Sequence, residues 1–165
     1  MVATVRVVEK NGSSTSPTLT QKDGGTVRFK NADDANVDLN NPMVIPSSGS
    51  DWSFEKWLRL EITGGTFTEI TNLKFYTDGQ NNFGTGVNLW AKNVATYATP
   101  AEGTGSTGYT DAFTYTSSAP LNLGAGPYTA TGEIGDHVVM LLEVQSSASS
   151  GVLSGETVTF SYDEI

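Results

Sequence analysis

The chain has 165 residues, no cysteine, and 9 Lys plus Arg against 18 Asp plus Glu, a formal charge of −9. The acid excess argues against general nucleic-acid binding, which needs a basic stripe for the phosphates. The missing cysteines remove disulfides, thiolate nucleophiles and Cys-based zinc sites. No window approaches ~18 consecutive apolar residues, so no membrane span is expected. "MVATVRVVEK" lacks a basic region followed by an apolar core, which predicts synthesis in a cytoplasm without a secretory signal.

In chain order the sequence reads as short strands. "VRVVEK" opens with one, ended by "NGSSTSP". "GTVRFKN" predicts a second, with Val27 and Phe29 on one face and Arg28 and Lys30 on the other. "SSGSDWSFEKW" has room for a turn or two of helix capped by Asp51. "KWLRLEITGG" alternates, with Leu58, Leu60 and Ile62 inward, Arg59 and Glu61 outward, and Gly64 with Gly65 at the end. "TEITNLKFYTDG" puts Leu73 and Phe75 in, Lys74 and Tyr76 out. "GVNLWAKN" aligns Val87, Leu89 and Ala91. "ATPAEGTGSTGYTD" reads as a long, mobile, exposed loop. "DAFTYTS" predicts a strand pairing Phe113 with Tyr115. "HVVMLLEV" is apolar on both faces, as in a central strand covered on both sides. "SSASSGVLSG" is a flexible connection, and "TVTFSYDEI" closes with Val158, Phe160 and Tyr162 together. The expectation is one all-β domain over 1–165, an antiparallel β-sandwich of jelly-roll type with little or no helix and polar loops near 100–111 and 146–155.

The chemistry-bearing residues are few. His137 is the only histidine. It sits at the mouth of the apolar run beside Asp136, but consecutive strand residues point to opposite faces, so a surface or edge histidine is expected rather than a general base. No GxSxG elbow exists. A paired-carboxylate glycosidase would need two acids, and the outward acids Glu61 and Glu143 are too isolated to be singled out. Asp33, Asp34 and Asp38 in "NADDANVDLNNP", and Asp78 with Gln80, Asn81 and Asn82 in "TDGQNN", offer calcium-type oxygens. Neither has EF-hand spacing, and such loops more often bond their own backbone in turns. No enzyme activity, cofactor or metal is therefore expected. Trp52, Trp57 and Trp90 could stack on sugars or anchor a protein interface.

The central stretch "GGTVRFKNADDANVDLNNPMVIPSSGSDWSFEKWLRLEITGGTFTEITNLKFYTDG" resembles small structural proteins of tailed bacteriophages. The resemblance rests on "VRFK", "DLNNP", "SFEKWLRL" and the closing "TFSYDEI", about half of the chain plus its C-terminus. It implies a virion component, most like a head decoration (cement) protein on the capsid surface. The implied partners are the major capsid protein and further copies of the chain, as a trimer. A carbohydrate-binding adhesin module and a tail or baseplate component remain alternatives.

Charge adds one hypothesis about the surface. All nine basic residues lie at or before Lys92, whereas eight acids follow Asn93. Arg6, Arg28, Lys30, Arg59 and Lys74 could therefore form a basic face toward the capsid or a neighbouring subunit, with Trp57 or Trp90 as apolar anchors. Interleaving of strands from the two halves would mix the charges instead.

Overall fold

A computed structural model describes residues 2–165. Ten strands form two antiparallel sheets, and the only other regular element among these residues is one 3-10 turn at Ala112–Thr114. In chain order the strands are β1 (Ala3–Asn11), β2 (Thr18–Gln21), β3 (Ser50–Trp52), β4 (Lys56–Gly65), β5 (Ile70–Thr77), β6 (Val87–Val94), β7 (Thr110–Asp111), β8 (Leu121–Gly124), β9 (Gly132–Gln145) and β10 (Val158–Glu164). The large sheet runs β2-β1-β4-β9-β6-β7 with β3 also on β9, and the small sheet runs β10-β5-β8.

The period-two pattern sets the core. Leu58, Leu60 and Ile62 from β4, with Val87, Leu89 and Ala91 from β6, are buried against Leu73 and Phe75 of β5. Removing alternate apolar side chains from water on two facing sheets is what drives such a sandwich together. Strand β9 is the spine of the large sheet. It pairs with β4 on one side, with β6 on the other, and with β3 at its far end. Val138, Met140, Leu142 and Val144 face the core, while His137, Val139, Leu141 and Glu143 are buried on the back of the sheet. Its double-sided apolar run thus has the covering on both sides that its composition predicts.

The back is covered by the segment 95–109, which overlaps the stretch 98–111 that the sequence reads as a long, exposed loop; it is irregular and most of its residues are exposed, but it is not detached from the sheet. It lies along the sheet as a strap. Glu55 N donates to Ala101 O at 2.9 Å, and Gly103 N to Ser53 O at 2.9 Å. A Cβ on Gly103 would stand 3.0 Å from both Leu141 Cδ2 and Trp52 Cβ, so the absence of a side chain is what lets the strap approach the sheet.

Four local expectations fail for identifiable reasons. "GTVRFKN" is not a strand; its backbone bonds go elsewhere, with Phe54 N donating to Lys30 O and Asn31 N to Asn41 O. "DAFTYTS" turns at once, because the Asp111 carboxylate accepts from Phe113 N and caps the 3-10 turn. Asp51 caps no helix; it lies in β3, and its carboxylate accepts from Val44 N at 2.9 Å. Finally, β9 starts at Gly132 and not at His137. Its register against β4 shifts between Leu58 and Leu60, around Gly135 at φ +67°. A Cβ there would meet Leu73 Cδ1 at 2.4 Å, so only glycine fits this bulge.

Candidate functional site

Three strands cannot cover a sheet of seven. Where the small sheet stops at β10, the inner face of the large sheet is roofed by the irregular segments 22–48 and 146–157. They leave an open cleft of about 1260 Å³. At its bottom lie Val7 on β1, which is partly exposed, and the core residues Leu60 on β4, Leu89 on β6 and Met140 on β9, which are at most 3% exposed; β10 forms one side. Around it stand Leu39 (70% exposed), Val44 (59%), Ile45 (37%) and Val152 (84%). These four account for half of the large hydrophobic side chains that the described residues expose, and they are gathered at one opening. Such clustering marks an interaction site more often than chance exposure does.

The coil around the cleft is held by charge. Lys30 is 1% exposed, and its ammonium lies 2.9 Å from carboxylate oxygens of both Asp34 and Asp38. Burial pulls this lysine toward neutrality, but the bonds to Asp38 and Asp34 outweigh it and hold its pKa above the ordinary value. The Lys30 bond likewise holds Asp38 below the usual carboxylate range, and for Asp34 it overcomes the opposing effect of burial. Asp34 also accepts from Asn36 N and Asp38 from Asn40 N, each closing a turn, while Asp33 accepts from Gly12 N and Asn11 Nδ2. Both oxygens of Asp33 and one oxygen each of Asp34 and Asp38 are thus engaged by lysine, asparagine and backbone. Among the described residues no group of three His, Asp or Glu is placed to hold a metal ion. Lys22 adds bonds to Thr26 O and Ala35 O and an ion pair to Glu9.

The residues suggested for a basic face do not converge. Arg6 pairs with Glu61 at 2.7 Å, and Arg59 Nε donates to Ile134 O, both on the back of the large sheet. Lys74 is exposed on the outside of the small sheet, across the sandwich. Arg28 lies at the cleft wall. Lys30 and Trp57 (3% exposed) are buried inside the chain and are withdrawn as interface residues. Trp90 is half-buried, with its indole N–H on Glu143 at 3.0 Å. The halves interleave: β9 lies between β4 and β6, and β10 pairs with β5, so the charge asymmetry of the sequence does not become two faces.

His137 is neither a surface nor an edge residue. It is 1% exposed, edge-on to Trp57 at 5.4 Å and 5.9 Å from Tyr97. Its Nδ1 donates to Val94 O at 3.1 Å, and burial pushes its pKa down to about 4. The ring is neutral at pH 7, enclosed by aromatic rings and out of reach of solvent, which is a poor setting for acid–base catalysis. Asp136 accepts from Asn93 instead of the ring. Glu143 accepts from Ser50, Asn88, Trp90 and Gln145; these bonds overcome desolvation and keep its pKa below the ordinary value.

The sequence pattern did not single out the residues of the cleft mouth. Leu39, Val44 and Ile45 sit in "DLNNPMVIP" and Val152 in "SSGVLSG", segments whose Asn, Pro, Ser and Gly content marks them as turns and connections. The available signal was isolated apolar residues in otherwise polar coil. No protein-family model matches the chain, and neither the curated proteins nor the solved structures yield a match.

Proposed function

We propose that the chain is a virion structural protein, a capsid decoration protein that attaches to the head through the inter-sheet cleft. One observation carries this reading: the segments on which the phage resemblance rests converge on the cleft. Val27, Arg28 and Phe29 of "VRFK", Leu39 and Asn40 of "DLNNP", Leu58 and Leu60 of "SFEKWLRL", and Phe160 and Tyr162 of "TFSYDEI" all line it. The occupant is an extended segment of the major capsid protein, added as a strand beside β10. Strand β10 has seven residues and ends its sheet, with no charge or proline between Val158 and Tyr162. The other strands with a single ladder partner, β2, β3, β7 and β8, have four, three, two and four residues. The stretch of this edge before the bulge between Ser161 and Asp163 lies beside the apolar cleft mouth, where it offers main-chain bonds for affinity and room for alternate side chains. Many copies on one shell, linked as a trimer, turn modest contacts into strong reinforcement.

The tryptophans weigh against the sugar-binding alternative. Trp57 is buried, and Trp52 and Trp90 are half-buried, so the chain offers less tryptophan surface for stacking than three exposed rings would.

The test mixes the protein with mature heads that lack it, and separately with a glycan array. The wild type binds heads and no glycan, and Leu39→Asp with Val152→Asp loses head binding. Head binding unaffected by the double substitution removes the cleft from the mechanism. Glycan binding without head binding favours the adhesin, and binding to neither favours a tail or baseplate component.

A further inference from the structure

The β1–β4 ladder sets Glu9 opposite Leu58 and Lys10 opposite Trp57. One step further in the same register, Asn11 stands opposite Lys56, on the face that also carries Glu9. All three are withdrawn from water: Asn11 is 6% exposed, and Glu9 and Lys56 are 0% exposed. Lys56 Nζ donates to Glu9 Oε1 at 3.0 Å, and Asn11 Nδ2 approaches the same oxygen at 3.4 Å. The amine and the amide are therefore no more than two hydrogen-bond lengths apart, with a carboxylate between them. Asn11 Oδ1 is buried and accepts from no group. Asn11 Nδ2 also donates to Asp33 at 2.8 Å, and Lys56 Nζ to Asp34 O at 2.6 Å, which fixes both side chains in this arrangement.

We propose that Lys56 and Asn11 join in an intramolecular isopeptide bond, with Glu9 as the proton carrier. Glu9 takes a proton from the Lys56 ammonium, which frees the lone pair of Nζ. That pair attacks Cγ of Asn11, and the carbonyl π electrons move to Oδ1. Glu9, now a carboxylic acid beside Nδ2, gives its proton to this nitrogen. The tetrahedral centre collapses, the Cγ–Nδ2 bond breaks, and the Nζ–Cγ amide forms. Nζ sheds its second proton through Glu9 to the departing nitrogen, which leaves as ammonium, and Glu9 returns to its carboxylate. No oxidant, reductant or water is consumed. The strand register favours the step by holding the reacting groups together, and Lys22, 3.2 Å from Glu9 Oε2, stays as the counter-ion of Glu9 once Lys56 is consumed. The bond would lock the N-terminal strand of the large sheet to its neighbour. It rests on no assumption about what the cleft binds.

The test is the intact mass of the folded, full-length protein after incubation at neutral pH, followed by trypsin digestion. The expected mass is lower than that of the sequence by one ammonia. Digestion yields a branched product joining Asn11–Lys22 to Asn31–Arg59, uncleaved after Lys56. Lys56→Arg keeps a cation beside Glu9 but offers no attacking amine, so the branch disappears. Glu9→Gln slows its formation by about 100-fold or more. An unchanged mass overturns the proposal. So does an ammonia loss confined to a linear peptide, which signifies ring closure at Asn11-Gly12, and so does a branch that persists in Lys56→Arg. Formation at an unchanged rate in Glu9→Gln removes Glu9 from the step.

Discussion

The space between the two sheets has a closed end and an open end, and they are built differently. At the closed end Ile70, Leu73, Phe75 and Leu123 of the small sheet are at most 1% exposed against the large sheet. Phe75 meets Phe160 edge-on at 5.5 Å. At the open end the roof is coil, held to the large sheet by Lys22 on Glu9 and by Lys56 on Asp34 O, and braced within itself by Lys30 on Asp34 and Asp38. A strand ladder satisfies its own backbone and can present a continuous apolar face. A coil must send its polar groups somewhere, and here they go to buried lysines. Its apolar side chains Leu39, Val44 and Val152 are then left at the mouth of the cleft. The closed end is stability, and the open end is available for binding.

The largest effect that separates them is on folding. Phe75→Ala empties a fully buried site at the closed end and should cost about 3–5 kcal/mol, measured by urea unfolding. Val152→Ala should cost less than about 0.5 kcal/mol. Equal costs would mean that the cleft closes in solution and would break the distinction.

The second effect belongs to the back of the large sheet, which is closed by the strap. His137 has a folded pKa of about 4 against an ordinary 6.5. Between these values the unfolded chain binds the proton and the folded chain does not. Stability is therefore full above pH 6.5 and falls as the pH drops toward 4. From pH 7 to pH 5 the loss should be about 2 kcal/mol, at about 1.4 kcal/mol per pH unit below 6.5. His137→Gln should abolish this slope while leaving the acid transition of the carboxylates at lower pH. An unchanged slope in the variant would show that the strap opens to water.

A smaller effect sharpens the view of the coil. Lys30→Met leaves Asp34 and Asp38, which are partly exposed, to be hydrated, so the loss should be about 1–2 kcal/mol and local. Hydrogen exchange should quicken across 31–41 and stay unchanged in β5. The smallest effect on stability is that of Leu39→Asp with Val152→Asp, within about 0.5 kcal/mol per site; under the proposed function its consequence lies in head binding.

What the sequence makes legible follows the same division. β4, β5, β6 and β9 alternate or run apolar because their neighbours are ladders, and their inward residues could be named from the pattern alone. "GTVRFKN" alternates as well, yet Lys30 turns inward, because its partners Asp34 and Asp38 follow within eight residues and draw the chain into a loop. The strap over β9 was legible as exposed coil, which most of it is, but not as docked on the sheet, because nothing local shows that the small residue at Gly103 serves close approach to Leu141 and Trp52. The cleft is a property of strand count, three against seven. No local window contains that number.

The central claim, that the cleft beside β10 is the docking surface, is tested most directly by hydrogen exchange of the protein free and bound to mature heads. The account predicts that amides of Val158–Glu164 not already paired with β5 gain protection on the head, together with those of 39–45, while the strap at 95–109 is unchanged. Head binding that protects the strap and leaves β10 as it is in the free protein would contradict it.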